Sequence, residues 1–276
     1  MTRSPLPSSK EFRMHLDDIV AAKRSAWSGA RAPVSAAGER ATPARAGTFA
    51  AALNGTEVGI IAEVKPKSPS KGDLLPLAEA VPLARTYAGA GAAAVSVLAD
   101  TPYFGGSPDL VAQVANDAEV TVPVLFKDFL VDVRQVQLAH DCGADAVLVI
   151  VRSVDDALLA DLLAAADGLG LDALVETFTE EEVERAVRAG ARIIGVNNRD
   201  LRTFEVDLDN SQRLRQLIPP GVLTVSESGL HTPADLARIG AHGFHAALIG
   251  ESLLTSDDPA EKLRSLRGVR IAQAVR

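Results

Sequence analysis

From Val58 onward the chain alternates short runs rich in β-branched residues with longer Ala- and Leu-rich stretches whose apolar positions recur at helical spacing. This is the pattern of βαβ units, in which strands buried on both faces are covered by amphipathic helices. Eight runs read as strands: residues 58–65, 93–98, 122–127, 146–151, 173–176, 193–197, 223–227 and 246–249. The stretches between them predict helices, among them 76–90, 132–141, 155–169, 180–189 and 233–241. Gly91, Gly143, Gly170, Gly190 and Gly243 each fall between such a helix and the next strand, where a left-handed residue ends a helix without a side-chain clash. A doubly wound open sheet shares much of this pattern. Eight repeats without a glycine-rich dinucleotide turn after the first strand favour a closed (β/α)8 TIM barrel.

Residues 1–54 do not repeat the unit. Helical periodicity over 12–27 places Leu16, Ile19, Val20 and Lys23 on neighbouring turns, and 28–48 is rich in Ala, Gly, Arg and Pro. The expectation is one domain spanning 1–276, with a helical N-terminal extension and linker over 1–54 and the barrel over 55–276. The extension has two candidate roles, covering the bottom of the barrel or roofing its active site, and the pattern does not choose between them.

Composition narrows the class further. The 276 residues are 47% apolar with few aromatics, which suits parallel strands under helices. A formal charge of −8 is spread along the chain, with no basic stripe interleaved with aromatics, so nucleic acid is not the expected partner. No apolar stretch approaches the roughly 18 residues of a membrane span, and the polar start lacks a signal-peptide core, so a cytoplasmic protein without membrane contact is expected. Cys142 is the single cysteine and reads as a small packing residue. The five histidines lack metal-ligand spacing, and no metal is expected.

In a TIM barrel the strand ends share one mouth, so polar residues far apart in sequence can be gathered there. Glu63 and Lys65 stand at the end of the first strand, Lys127 at the third, Glu176 at the fifth, Asn197 and Arg199 at the sixth, and Glu227 and Ser228 at the seventh. Any one of these reads as a rim salt bridge. Two lysines and three carboxylates in one mouth are a costly way to stabilise a fold, and proton transfer with pKa-shifted groups accounts for them better. Three Gly/Ser-rich segments suggest a phosphate cup: Ser68-Pro69-Ser70-Lys71-Gly72, Ser228-Gly229 and Gly250-Glu251-Ser252. The last two follow strands seven and eight, the loops that most often bind phosphate in barrels.

Read together, these segments resemble the indole-3-glycerol phosphate synthase family. The likeness runs in order through Ile61–Gly72, Ser96–Leu98, Tyr103–Ser107, Pro123–Phe129, Leu174–Glu176, Ile194–Phe204, Val225–Gly229 and Leu248–Ser252. It implies a carboxy-lyase that cyclises 1-(2-carboxyphenylamino)-1-deoxyribulose 5-phosphate to indole-3-glycerol phosphate, losing CO2 and water, in tryptophan biosynthesis. No cofactor is implied, and other tryptophan-pathway enzymes are candidate partners. By this resemblance Lys127 is the general acid for ring closure. Lys65 pairs with the anthranilate carboxylate and is a candidate acid for dehydration, with Glu63 as its partner. Glu176 serves acid/base chemistry or stabilises positive charge on the ring nitrogen, and Asn197 orients a hydroxyl and Glu176. Ser68, Ser228, Gly229, Gly250 and Glu251 contribute to binding phosphate, Glu251 through its backbone N–H. Phe104, Phe129 and Leu201 supply apolar walls, with Arg199 and Glu227 completing the substrate site.

Two positions depart from the family pattern. Phe126 stands where a basic residue usually precedes the catalytic lysine, and Pro66 where a basic or polar residue usually follows Lys65. With the unusual 28–48 linker, they raise the idea of a second-copy enzyme serving a specialised indole pathway. Two other readings compete. A phosphoribosyl isomerase would share the phosphate loops but typically uses Asp or Cys at its strand ends. A non-catalytic phosphosugar-binding barrel would have no need of every acid/base position being filled.

Overall fold

The computed structural model describes residues 16–29, 47–69, 71–200, 203 and 205–272. Eight parallel strands close into a barrel: β1 (Gly59–Val64), β2 (Ala94–Leu98), β3 (Val124–Lys127), β4 (Ala146–Ile150), β5 (Asp172–Thr177), β6 (Ile193–Asn197), β7 (Leu223–Glu227) and β8 (Ala246–Ile249). Each strand pairs with its sequence neighbours, and β8 closes on β1 with Gly59 opposite Ala246. The strands expected from the hydrophobic runs are all present, within two residues at either end. Val151, expected to finish the fourth strand, instead opens a 3-10 turn, and Lys65 lies one residue beyond β1.

Alternation along each strand builds two cores. Outward residues such as Val95, Val97, Val147, Val149, Val175 and Val196 join the helices in an outer apolar layer, which also holds Cys142. Inward residues including Ile61, Leu125, Leu148, Leu174, Ile193, Val225 and Leu248 fill the barrel. Burying each Val or Leu contributes about 1.5–3 kcal/mol, so a one-residue register slip would exchange the two layers at a large cost. The five glycines expected to stop helices all have positive φ, from 72° at Gly170 to 90° at Gly91. No described helix is long and apolar enough to cross a membrane.

The extension plays both roles that its pattern left open. Phe49 and Leu53, on the helix Thr48–Leu53, are fully buried in the barrel's inner core, and Ala50 N–H donates to Asp172 at the start of β5, which places this helix at the barrel bottom. The helix Leu16–Trp27 lies at the opposite end. Lys23 pairs there with Asp100 and Asp128, which follow β2 and β3, while Arg24 donates to the Ser153 carbonyl after β4. Of the helix expected over 12–27, residues 12–15 lie outside the described residues, as does most of the 28–48 linker.

Phe126 faces away from the mouth. It is fully buried in the outer layer because it has the opposite strand parity to Leu125 and Lys127. Pro66 is buried after β1, and its carbonyl accepts the N–H groups of Leu74 and Leu75 at 2.8 and 3.0 Å, folding the following loop back on itself. Neither departure places a side chain among the acid/base groups.

Candidate active site

The mouth opens into a cleft lined by Glu63, Lys65, Ser68, Phe104, Lys127, Phe129, Glu176, Asn197, Arg199, Ser228 and Glu251. An adjoining recess adds Glu227, Gly229 and Gly250. The structure thus gathers the candidate residues into one continuous site, except Leu201, which lies outside the described residues.

Glu63 is the hinge of its charge distribution. The two-residue spacing on β1 directs Glu63 and Lys65 the same way, and Glu63 Oε1 lies 2.5 Å from Lys65 Nζ. Its Oε2 accepts from Lys127 Nζ at 2.8 Å across the mouth. Burial alone would raise the Glu63 pKa, but the two ammonium groups outweigh it and hold the carboxyl at about 2. Burial likewise would discharge Lys127, yet the carboxylates of Glu63, Glu227 and Glu176 hold its pKa well above the ordinary lysine value. Lys127 is therefore an ammonium with a proton to give at neutral pH.

Glu176 and Glu227 are the counterpart. Burial raises both, Glu227 the further because Glu176 lies beside it and Lys127 only partly compensates. The surroundings thus favour the neutral form at this pair and the ionised form at Glu63. Glu227 Oε1 is buried without a hydrogen-bond partner, which costs a neutral acid's carbonyl oxygen far less than a carboxylate. Gly195 on β6 makes room for this oxygen, since a methyl group there would overlap it. Gly250 does the same for Glu63, where an added Cβ would sit 2.5 Å from Oε1.

Asn197 fixes Glu176 from the next strand. Its Nδ2 donates to Glu176 Oε1 at 3.1 Å, and its Oδ1 accepts from Arg199 N–H at 2.9 Å, so both ends of the amide are assigned. Below it, Asn198 ties Ser226 and Ser211 into a buried polar network and donates to the Ser228 carbonyl, anchoring the turn after β7.

That turn is unusual. Ser228 has φ 69°, the only positive value at a non-glycine among the described residues, and Gly229 follows at 77°. Gly229 also has no room for a side chain, since a Cβ would overlap Val206. Gly250 then caps the one-turn helix Glu251–Leu254, whose first N–H groups have no partner within the helix. Backbone donors at these two loops suit a phosphate. Glu251 turns its carboxylate to Lys71, at 2.5 Å, and toward Arg199, at 3.9 Å, and these cations hold its pKa below the ordinary value.

The opposite side of the cleft is apolar. Phe104 and Phe129 meet with ring centroids 5.9 Å apart, and Leu98, Leu148, Ile150, Leu16 and Ile19 complete the wall. The sequence reading passed over these five aliphatic residues. Leu98, Leu148 and Ile150 share the inward parity of Lys127, a signal that would have found them. Leu16 and Ile19 carried none, because their helix could have docked at either end of the barrel.

Comparison with known proteins gives a consistent result. A family model described as indole-3-glycerol phosphate synthase matches residues 16–266. A curated indole-3-glycerol phosphate synthase from Opitutus terrae is 46% identical over 226 residues, covering 80% of this chain and 85% of the relative. Another from Roseiflexus sp. is 45% identical over 244 residues, covering 86% and 90%. Among solved structures, 3-hexulose-6-phosphate synthase from Salmonella typhimurium superposes with a TM-score of 0.63 at 16% identity, covering 76% of this chain and 96% of its own. That last likeness shows the barrel fold alone.

Proposed function

The chain belongs to the indole-3-glycerol phosphate synthase family, and from that premise we propose how the side chains at its mouth divide the chemistry. The enzyme is a decarboxylating lyase of tryptophan biosynthesis, converting 1-(2-carboxyphenylamino)-1-deoxyribulose 5-phosphate to indole-3-glycerol phosphate with release of CO2 and water. The observation that carries the residue assignment is the single cleft in which Glu63 bridges Lys65 and Lys127 opposite the Glu176/Glu227 pair.

The phosphate lies at the turns of Ser228-Gly229 and Gly250-Glu251, with Ser68 closing from the β1 loop, and the anthranilate ring lies against Phe104 and Phe129. Lys65 meets the ring carboxylate. In ring closure the aromatic carbon bearing that carboxylate attacks the ketone carbon, and the carbonyl π electrons move onto oxygen. The growing alkoxide is more basic than an ammonium, so Lys127 transfers its proton there. Loss of CO2 leaves the electron pair in the ring and restores its aromaticity.

Dehydration then breaks the C–O bond of the new alcohol, with Lys65 supplying the proton that lets it leave as water. Glu176, oriented by Asn197, accepts the proton from the carbon next to nitrogen, and the indole double bond forms. A neutral Glu227 beside Glu176 keeps the negative charge on that side to one carboxylate, which Lys127 and the substrate nitrogen can balance.

The test is turnover of the carboxyphenylamino-deoxyribulose phosphate by the purified chain, following indole fluorescence and CO2 together. One CO2 per indole product is expected. An isomerised sugar phosphate without CO2 would favour the isomerase reading, and substrate binding without product would favour a non-catalytic barrel.

A further inference from the structure

The N-terminal helix meets the mouth through one buried cation. Lys23 Nζ lies 3.0 Å from Asp100 Oδ1 and 2.6 Å from Asp128 Oδ1, and the two carboxylates are 0% and 6% exposed. Each aspartate also seats one aromatic wall of the cleft. Asp100 accepts the N–H groups of Tyr103 and Phe104 at 2.8 and 3.1 Å, capping the turn that carries Phe104. Asp128 accepts the N–H of Phe129 at 2.8 Å and directly follows Lys127. One and two turns before Lys23 on the same helix, Ile19 and Leu16 enter the cleft and line it together with those rings. Arg134 secures the far end of the helix through the Trp27 carbonyl, with its guanidinium 5.6 Å from the Trp27 ring centroid.

We propose that Lys23 is a positioning residue for the reaction: by bridging Asp100 and Asp128 it sets the Phe104 and Phe129 walls and locks the N-terminal helix over the ring-binding half of the cleft. Two buried carboxylates facing each other repel unless a cation lies between them, so removing the ammonium disturbs both seats at once. The phosphate turns lie on the other side of the barrel and do not depend on it. This inference rests on the ring lying in the apolar half, as proposed above.

Lys23→Met and Lys23→Arg in the full chain test it, with steady-state kinetics, competition by anthranilate and by inorganic phosphate, and emission of Trp27, the single tryptophan of the chain. For Lys23→Met, KM is expected to rise about tenfold with a smaller change in kcat, the pattern of lost binding rather than lost chemistry. Inhibition by anthranilate should weaken in parallel, inhibition by phosphate should hold, and the buried Trp27 should shift to longer wavelength; Lys23→Arg should restore most of each. Unchanged KM and anthranilate inhibition would overturn the proposal, and so would equal weakening of both inhibitors. Should Lys23→Met fail to fold, Lys23→Gln, which keeps a donor for one aspartate, carries the same expectation at smaller amplitude. Absence of turnover in the wild type would sink the assigned reaction instead, leaving Lys23 to be judged on anthranilate binding and Trp27 emission.

Discussion

Glu63 and Glu227 are both buried glutamates at the C-terminal ends of barrel strands, each about 2% exposed, yet the barrel pushes their pKa values in opposite directions. Glu63 has an ammonium on each oxygen and stays ionised, whereas Glu227 faces Glu176 and is pushed toward the neutral acid. Burial acts in the same direction on both, so the neighbours decide the sign. Lys127 lies between them, and its ammonium is favoured most by the ionised Glu63 that accepts its hydrogen bond. The difference separates a region that keeps an acid charged and ready from one that can receive a proton, which a cyclisation followed by dehydration needs in turn.

The strongest way to break this arrangement is to remove its centre. Lys127→Ala should lower kcat about 10³-fold, within the range for losing a general acid, while leaving KM comparatively close to wild type. Single-turnover kinetics would check it, and a loss confined to KM would assign Lys127 to binding.

Glu63→Gln comes next. It leaves two ammonium groups in the mouth without their shared carboxylate, and breaking such a buried pair costs about 3–5 kcal/mol. Because Glu63 titrates lower in the folded protein than in the unfolded chain, its contribution is full above the ordinary carboxylate pKa and is lost as pH falls toward about 2. Denaturant melts should therefore show a gap between wild type and Glu63→Gln that narrows in acid; a gap independent of pH would contradict the assignment.

Gly195→Ala is a smaller perturbation from the other side. The methyl group meets the Glu227 carboxyl, an overpacking that costs about 1–3 kcal/mol, and pairing it with Glu227→Ala should recover much of that loss. Simple additivity in that double-mutant cycle would separate the two positions. The smallest effect is expected for Glu227→Gln. A carboxyl whose pKa is raised on folding stabilises most below its unfolded pKa and loses that contribution as pH rises, so the wild type should lose stability relative to Glu227→Gln between weakly acidic and alkaline pH. Thermal melts at several pH values would show parallel curves if Glu227 were ionised throughout.

Much of this site was legible in the chain because barrel topology turns strand ends into neighbours. Once eight runs were counted, Glu63, Lys65, Lys127, Glu176, Asn197 and Glu227 had to face one opening, and the Ser228 and Gly250 loops had to flank it. Strand parity also explains Phe126, whose apolar side chain packs under the helical layer rather than in the cleft. What the chain hid were contacts made by no repeating pattern. Lys23 looked like one more polar position on an amphipathic helix, and nothing local marked Asp100 and Asp128 as its partners. Gly195 carried no signal and Gly250 was read only as part of the phosphate cup, although each also makes room for a buried carboxyl. The upward pKa shift of the Glu176/Glu227 pair was equally hidden, since it depends on which carboxyl groups face each other across the barrel.

The most direct test of the divided proton states is infrared difference spectroscopy of the carboxyl C=O stretch at neutral pH, comparing wild type with Glu227→Gln and Glu63→Gln. A protonated-carboxyl band present in the wild type, lost in Glu227→Gln and retained in Glu63→Gln is the predicted result. Loss of no such band in Glu227→Gln, or its loss in Glu63→Gln instead, would contradict the account.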